Sequence, residues 1–234
     1  MKKFFTLRNL IFTIIAIHFL LPTNPLNAQN RLNVALTLKV RGDSRLKRAG
    51  TDRYLPGVKR GTSLYNKDWL KTGDDGYLAL VFLDDKSMLK MRENSELEIA
   101  GKKEKDSISK MISMQFGKLK AEISEQRKGD FTIATPTSVA SVKGTEFWII
   151  SNPILGDIII GLTGQVDVTN RESGQKFTVK SGQTGNSKPD GTTTVETTQA
   201  GTVPTEPEEE EMKNELEIQF ENQDGETKTF KIVF

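Results

Sequence analysis

The chain has 234 residues with 33 basic and 31 acidic side chains, a formal net charge of +2, no cysteine and one histidine. Lack of cysteine excludes a disulfide framework, a thiolate nucleophile and a cysteine-based metal site. The near-neutral balance also removes any general case for nucleic-acid binding, which requires concentrated lysine and arginine.

The first 28 residues read as a leader. Lys2, Lys3 and Arg8 form a positive start, Leu10 to Leu21 an apolar run of 12 residues ended by Pro22, and Leu26-Asn27-Ala28 offers a small residue for cleavage. That order predicts a secretory signal peptide over residues 1–28. The apolar run is short of the roughly 20 residues that span a bilayer. The expected destination is across the inner membrane, in the periplasm or outside the cell. His18 lies within the leader, so the 206 residues that follow contain neither histidine nor cysteine. They therefore lack the usual general base and the usual zinc ligands. With the leader removed, 30 basic residues face 31 acidic ones.

From Leu32 to about Thr194 the pattern is one of short strands separated by Gly, Asp and Asn. Asn33 to Val40 alternates, which places Val34, Leu36, Leu38 and Val40 on one face. Tyr77 to Leu83 is almost continuously apolar and predicts a strand buried on both sides. Asp84-Asp85-Lys86 turns the chain, and Ser87 to Arg92 returns. Residues 102–110 read as a loop, and Met114 to Ile123 as strand, turn, strand, with Gly117 opening the second strand much as Gly164 does later. Phe131-Thr132-Ile133-Ala134 alternates again. Thr145 to Ser151 and Asp157 to Leu162 flank a turn at Asn152-Pro153. Gln165 to Thr169 and Lys176 to Lys180 form a hairpin around Glu172-Ser173-Gly174.

Composition shifts over residues 185–211, where Gly, Thr, Ser and Pro give way to the run Glu208-Glu209-Glu210-Glu211. Such a stretch offers too little apolar area to offset ordering entropy, so the main β domain is expected over 29–195 and a flexible acidic linker over 196–213. Residues 214–234 recover strand character. Leu216, Ile218 and Phe220 alternate, Asp224-Gly225 marks a tight turn, and Phe230, Ile232 and Phe234 alternate again, which predicts a C-terminal β-hairpin. A lone hairpin is marginal in water. It is expected to dock, on its own domain or on another protein.

Carboxylates are the remaining catalytic currency. Asp74-Asp75 and Asp84-Asp85 are adjacent pairs in predicted turns, and turn chemistry explains them better than a glycosidase pair. Gly73-Asp74-Asp75-Gly76 lacks the spaced ligand series of a calcium loop. Charge is unevenly spread. Residues 31–60 carry nine basic and two acidic side chains, and residues 206–234 carry ten acidic and three basic. Three readings stay open: two solvated faces, docking of the acidic tail on the basic edge, or a basic edge that meets anionic glycan or lipid with the tail competing.

The most specific stretch is Thr135-Pro136-Thr137-Ser138-Val139-Ala140-Ser141-Val142-Lys143-Gly144-Thr145-Glu146-Phe147. It resembles the core signature of the FecR domain: Thr-Pro, small and β-branched residues, then a basic residue, Gly-Thr-x-Phe. Supporting steps are Gly61-Thr62-Ser63-Leu64, Thr72-Gly73, Asn94-Ser95-Glu96-Leu97, Gly164-Gln165-Val166 and Gly182-Gln183, so the resemblance extends over about residues 34–195. Two turn positions depart from it, Lys67 and Lys86, where the family usually has glycine.

Physical roles fit the signature. Gly144 allows positive φ or close backbone approach. Pro136 holds Thr135 extended and removes a ladder donor, and Phe147 fills the core. Thr135, Pro136, Val142, Lys143, Gly144, Thr145, Phe147, Gly164, Val166 and Gly182 are thus read as fold-making residues. No catalytic, cofactor-binding or metal-binding residue is assigned, and no cofactor is expected.

The resemblance implies an all-β, FecR-like module of stacked antiparallel strand pairs, solenoid- or sandwich-like, closed by the C-terminal hairpin. It implies a non-enzymatic binding or scaffold protein of the bacterial envelope with a protein partner, or the sensory part of a split signalling system. A glycan- or peptidoglycan-associated structural module is the alternative, with glycan or anionic lipid as ligand. Well-known FecR-type regulators carry a cytoplasmic anti-sigma segment and a membrane helix, whereas only nine residues precede the apolar run here. No cytoplasmic regulatory segment is therefore expected.

Overall fold

A computed structural model describes residues 32–103, 108–126, 129–206, 215–221 and 227–233. All regular structure among them is β. Two ladders share one long strand, β9 (Ile108–Ile123). The first ladder runs β4 (Ser63–Tyr65), β1 (Asn33–Arg41), β6 (Tyr77–Phe82), β7 (Met88–Met91), the second half of β9, β12 (Thr145–Asn152), β13 (Gly156–Thr163), β16 (Gln183–Ser187) and β17 (Thr193–Thr197). The second runs β3 (Leu55–Pro56), β2 (Ser44–Lys47), β5 (Asp68–Thr72), β8 (Glu96–Lys103), the first half of β9, β10 (Phe131–Ala134), β11 (Ser138–Val142), β14 (Gln165–Asn170) and β15 (Lys176–Lys180). Every pairing is antiparallel except β9 with β10. The result is one continuous, mostly antiparallel sheet folded at β9 into two layers.

From β10 onward the chain deals strand pairs alternately to the two layers: β10–β11, β12–β13, β14–β15, β16–β17. The expected stacking of strand pairs is this alternation. The facing sides bury Leu78, Leu80, Phe82, Ile133, Phe147, Ile149 and Val168. Phe82 of the first layer meets Phe131 of the second edge to face, with ring centres 5.4 Å apart, a favoured aromatic geometry.

Strand β6 is buried at five of its six residues, as its unbroken apolar run predicts. Three other expectations fail locally. Leu38 is 39% exposed while Ala35 and Thr37 are buried, because the pairing of β1 with β6 slips between Thr37 and Lys39. A bulge of this kind inserts one residue and reverses the alternation beyond it. Next, β9 continues through Gly117 without a turn, and residues 102–103 and 108–110 are strand rather than loop. Gly117 adopts φ of 112° and bends the strand from the second layer into the first. Gly164 does the corresponding job as a turn, carrying the chain from β13 back to β14. Finally, β16 and β17 occupy residues 183–197, so paired strands run through the first part of the compositional shift at 185–211 and two residues past the expected domain limit at 195.

Strands β18 (Glu215–Glu221) and β19 (Thr227–Val233) pair antiparallel as the sequence predicts. Asp224-Gly225 and residues 207–214 lie outside the described residues.

Lys67 and Lys86, the two departures from glycine, both take left-handed conformations with φ of 67° and 63°. The local turn is kept and the lysines bear its steric cost. Lys67→Gly is expected to stabilise the protein by about 0.5–1 kcal/mol, since relief of that cost outweighs the added freedom of the unfolded chain. An unchanged or lower urea midpoint for the exposed Lys67 position would contradict this.

Candidate functional site

The signature residues converge on the region between β10 and β14. The Thr135 hydroxyl accepts hydrogen bonds from the amides of Thr137 (3.1 Å) and Ser138 (2.8 Å) and donates to Asp157 Oδ2 (2.5 Å). It therefore fixes the turn after Pro136 and ties the second layer to β13 of the first. Asn170 Nδ2 makes a second tie by donating to Ser187 Oγ at 2.8 Å. Asp157, Ser138 and Ser151 are all buried, which makes a polar seam inside this end of the fold.

At the other end of β11, Val142 pairs with Val166, and both are buried. Lys143 is exposed. Gly144 has φ of 120°, and a Cβ on Gly164 would stand 2.7 Å from the Gly144 carbonyl oxygen. The two glycines thus permit one backbone to lie against the other. The Thr145 hydroxyl donates to the Gln165 carbonyl at 2.8 Å, and Phe147 is fully buried. Gly182 has φ of 73° in the turn between β15 and β16.

Open clefts meet at Lys143-Gly144-Thr145. One, of about 530 Å³, lies between Lys143 and Lys180 beside Gly164 and Gln165. Its neighbour, of about 280 Å³, is bordered by Asp130, Ser141 and Asp167. A pair of lysines at an open cleft can hold an anionic group by charge. Among the described residues, no nucleophile is hydrogen-bonded to a base there.

The acidic pairs have structural partners. Lys110 is 2% exposed, and its ammonium lies 2.8 Å from Asp84 and 2.7 Å from Asp85. It sits over the rings of Phe82 and Phe131 and so caps one end of the interior. Burial alone would raise the Asp85 carboxyl, but hydrogen bonds from Lys110, Gln126 and the Ser87 amide hold it below the ordinary aspartate value. Asp75 Oδ1 accepts the Asp43 amide at 2.9 Å and closes a turn. Buried Asp68 accepts from Arg48 at 2.5 Å and from the amide of Tyr65 at 2.9 Å. Among the described residues there is no group of three or more acidic or histidine side chains arranged to hold a metal ion.

On the outer face of the second layer, Lys47 covers the Trp69 ring at 4.5 Å and the Tyr54 ring at 5.1 Å. The Tyr54 hydroxyl donates to Glu96 at 3.1 Å, and Lys71 reaches the same carboxylate at 2.8 Å. Burial, reinforced by the Glu96 charge, pushes the Tyr54 hydroxyl far above the usual phenol range. These rings are already faced by cations.

The outer face of the first layer carries a denser network. Lys90 contacts Glu122 at 2.6 Å and Glu206 at 2.8 Å. Lys120 contacts Glu146 at 2.7 Å, Glu122 at 3.2 Å and the other oxygen of Glu206. Arg92 donates to the Thr205 carbonyl. The first residue of the acidic tail is therefore anchored on β7 and β9, not on the basic edge at residues 31–60. Part of that edge is already engaged locally, through Arg45 with Asp43 and Arg48 with Asp68. Sequence reasoning missed both Lys110 and Glu206, since nothing in their immediate neighbours marks them.

Residues 68–153 match the model of the family described as FecR protein, so this segment is a FecR domain. It comprises β5 through β12, and the flanking strands extend the same two layers. Two crystal structures, at 2.50 and 1.65 Å resolution, are similar to the chain: each is described as "a putative anti-sigma factor from Parabacteroides distasonis ATCC 8503". Each has 14% identity and a TM-score of 0.47, and the match covers 55% of this chain and 59% of that one. The alignment thus spans about three fifths of that protein's length. No curated protein matches the chain.

Proposed function

We propose that this protein is a non-enzymatic binding and scaffold module of the bacterial cell envelope, delivered across the inner membrane by residues 1–28. In this reading it serves as the sensory part of a signalling system whose transmitting part is a separate protein. The observation that carries the proposal is the FecR domain at residues 68–153, whose signature side chains, exposed Lys143 apart, go to turns, cross-layer ties and core. What remains for recognition is surface, and the sequence beyond His18 offers neither histidine nor cysteine for chemistry.

Pull-down of the tagged full-length product from a detergent extract of its own envelope tests the reading. A membrane regulator or receptor should be recovered, and N-terminal sequencing should give a start at Gln29. Recovery of uncleaved precursor from cytosol would overturn the location. The two lysines at the signature cleft favour a second reading, an anionic glycan ligand. Co-sedimentation with purified cell wall, abolished by K143E/K180E, would select it over the first.

A further inference from the structure

Cross-strand register places Glu196, Thr184, Ile160, Trp148, Lys120 and Lys90 in one row across the first layer. Residues on this side of β12 and β9 alternate with the core-facing ones, so the row belongs to the outer face. An outer face should be wet, yet Trp148 is 1% exposed and Ile160 is 2% exposed. In the adjacent row Ile158 is 39% exposed and Ile150 is only partly covered. Something covers one row and not the next.

Segment 198–206 begins and ends on that row. The Thr198 hydroxyl meets that of Thr184 at 2.9 Å, and Glu206 bridges Lys90 and Lys120. Thr184 and Lys120 are three strand spacings apart, about 14 Å. Nine residues, with a turn at Gln199–Thr202, cover that span comfortably. Between the two anchor points the row contains Ile160 and Trp148. Among the described residues, no other segment is fastened at both ends of this row.

We propose that the row Ile160–Trp148–Lys120–Lys90, with Arg92, is a recognition surface for an extended acidic peptide segment of a partner protein. Segment 198–206 is its resident occupant in cis. The surface has the parts such a ligand needs: an apolar floor, paired ammonium groups that take both oxygens of one carboxylate, and an arginine that takes the preceding backbone carbonyl. Three acidic groups, Glu93, Glu122 and Glu146, stand beside four basic ones, Lys90, Arg92, Lys118 and Lys120. Without Glu206 the cluster is one positive charge in excess, which fits an incoming carboxylate. This deepens the reading of the protein as a binding module by naming the kind of partner, and it is tested without any envelope component.

The chain has two tryptophans, Trp69 and Trp148, so full-length W69F reports on Trp148 alone. Its emission should be blue and poorly quenched by acrylamide. Adding E206K removes two partly exposed ion pairs, together worth roughly a tenfold shift toward the uncovered state, and should move emission to the red with stronger quenching. A synthetic peptide of residues 198–206 should reverse that change saturably. The same peptide with lysine in place of Glu206 should not. Unchanged emission in the folded E206K variant overturns the proposal, as does equal reversal by both peptides or by a sulfated polysaccharide. Should E206K fail to fold, W69F alone at 0.5 M salt provides the test: quenching must rise, and no rise overturns the proposal. Failure of the envelope pull-down leaves these outcomes untouched, so the two readings fail separately.

Discussion

Replacing Gly117 with alanine should destabilise the protein by about 3–5 kcal/mol, among the larger losses a single methyl group can cause. Two costs combine. At φ of 112° the residue lies where side chains are rarely accepted, a penalty of about 1–2 kcal/mol. A Cβ there would also stand 2.2 Å from Ser95 Oγ and 2.4 Å from Ser95 Cα. Ser95 cannot retreat cheaply, because its Oγ accepts the Lys118 amide at 3.0 Å and its amide donates to Thr72 Oγ1 at 3.0 Å. Gly174→Ala is the control. It has φ of 69° and nothing within 4 Å of a Cβ, so only the conformational cost of about 1 kcal/mol applies. Urea unfolding of the three proteins reads the difference, and equal losses at the two glycines would refute the account.

The second large effect is expected at Lys110. Lys110→Met keeps the packing volume against Phe82 and Phe131 but leaves Asp84 and Asp85 facing each other without a cation. Breaking a buried pair from one side commonly costs about 3–5 kcal/mol. Asp84 and Asp85 retain 24% and 18% side-chain exposure, so a loss of about 2–4 kcal/mol at pH 7 is expected here. The sign of the pH dependence distinguishes this cause from simple misfit. In the unsubstituted protein the Asp85 carboxyl is held below its ordinary value; the stabilisation is present above the unfolded aspartate pKa and is lost as pH falls through the folded one. Without Lys110 the Asp85 carboxylate loses its counterion, so the deficit relative to the unsubstituted protein should shrink as pH is lowered and it protonates. A deficit that stays constant from pH 7 to pH 4 would point to packing alone. The triple variant K110M/D84N/D85N should recover most of the loss.

Hairpins with strong apolar alternation were legible in the sequence: β6–β7, β12–β13 and β14–β15 each join two patterned runs across a Gly, Asn or Asp turn. Elements with no such pattern were not. Strands β16 and β17 read QTGNS and TTVET; they lie at one end of the first ladder, where polar side chains cost little. Gly185 looked like a linker glycine, yet a Cβ there would meet Val179 Cγ2 at 2.4 Å, so it is small because β15 passes close by. Gly117 was read as a turn, since periodicity cannot distinguish a break in a strand from a bend that changes ladders. Of the candidate surfaces, the signature loop was visible because local spacing creates it. The Lys110 cap and the Glu206 anchor depend on partners 25 and 116 residues away, and no local pattern encodes such distances.

The shared strand β9 has a consequence for the order of assembly. Strands β7 and β8 both need it as their neighbour, and β10 and β12 need it as theirs. A chain emerging amino terminus first can pair its first eight strands among themselves in two separate groups, but β9 joins those groups, and β10 and β12 then pair with it. The joining of the two layers should thus be a late step, and amide protons along Ile108–Ile123, paired on both sides, should be among the last to exchange with solvent.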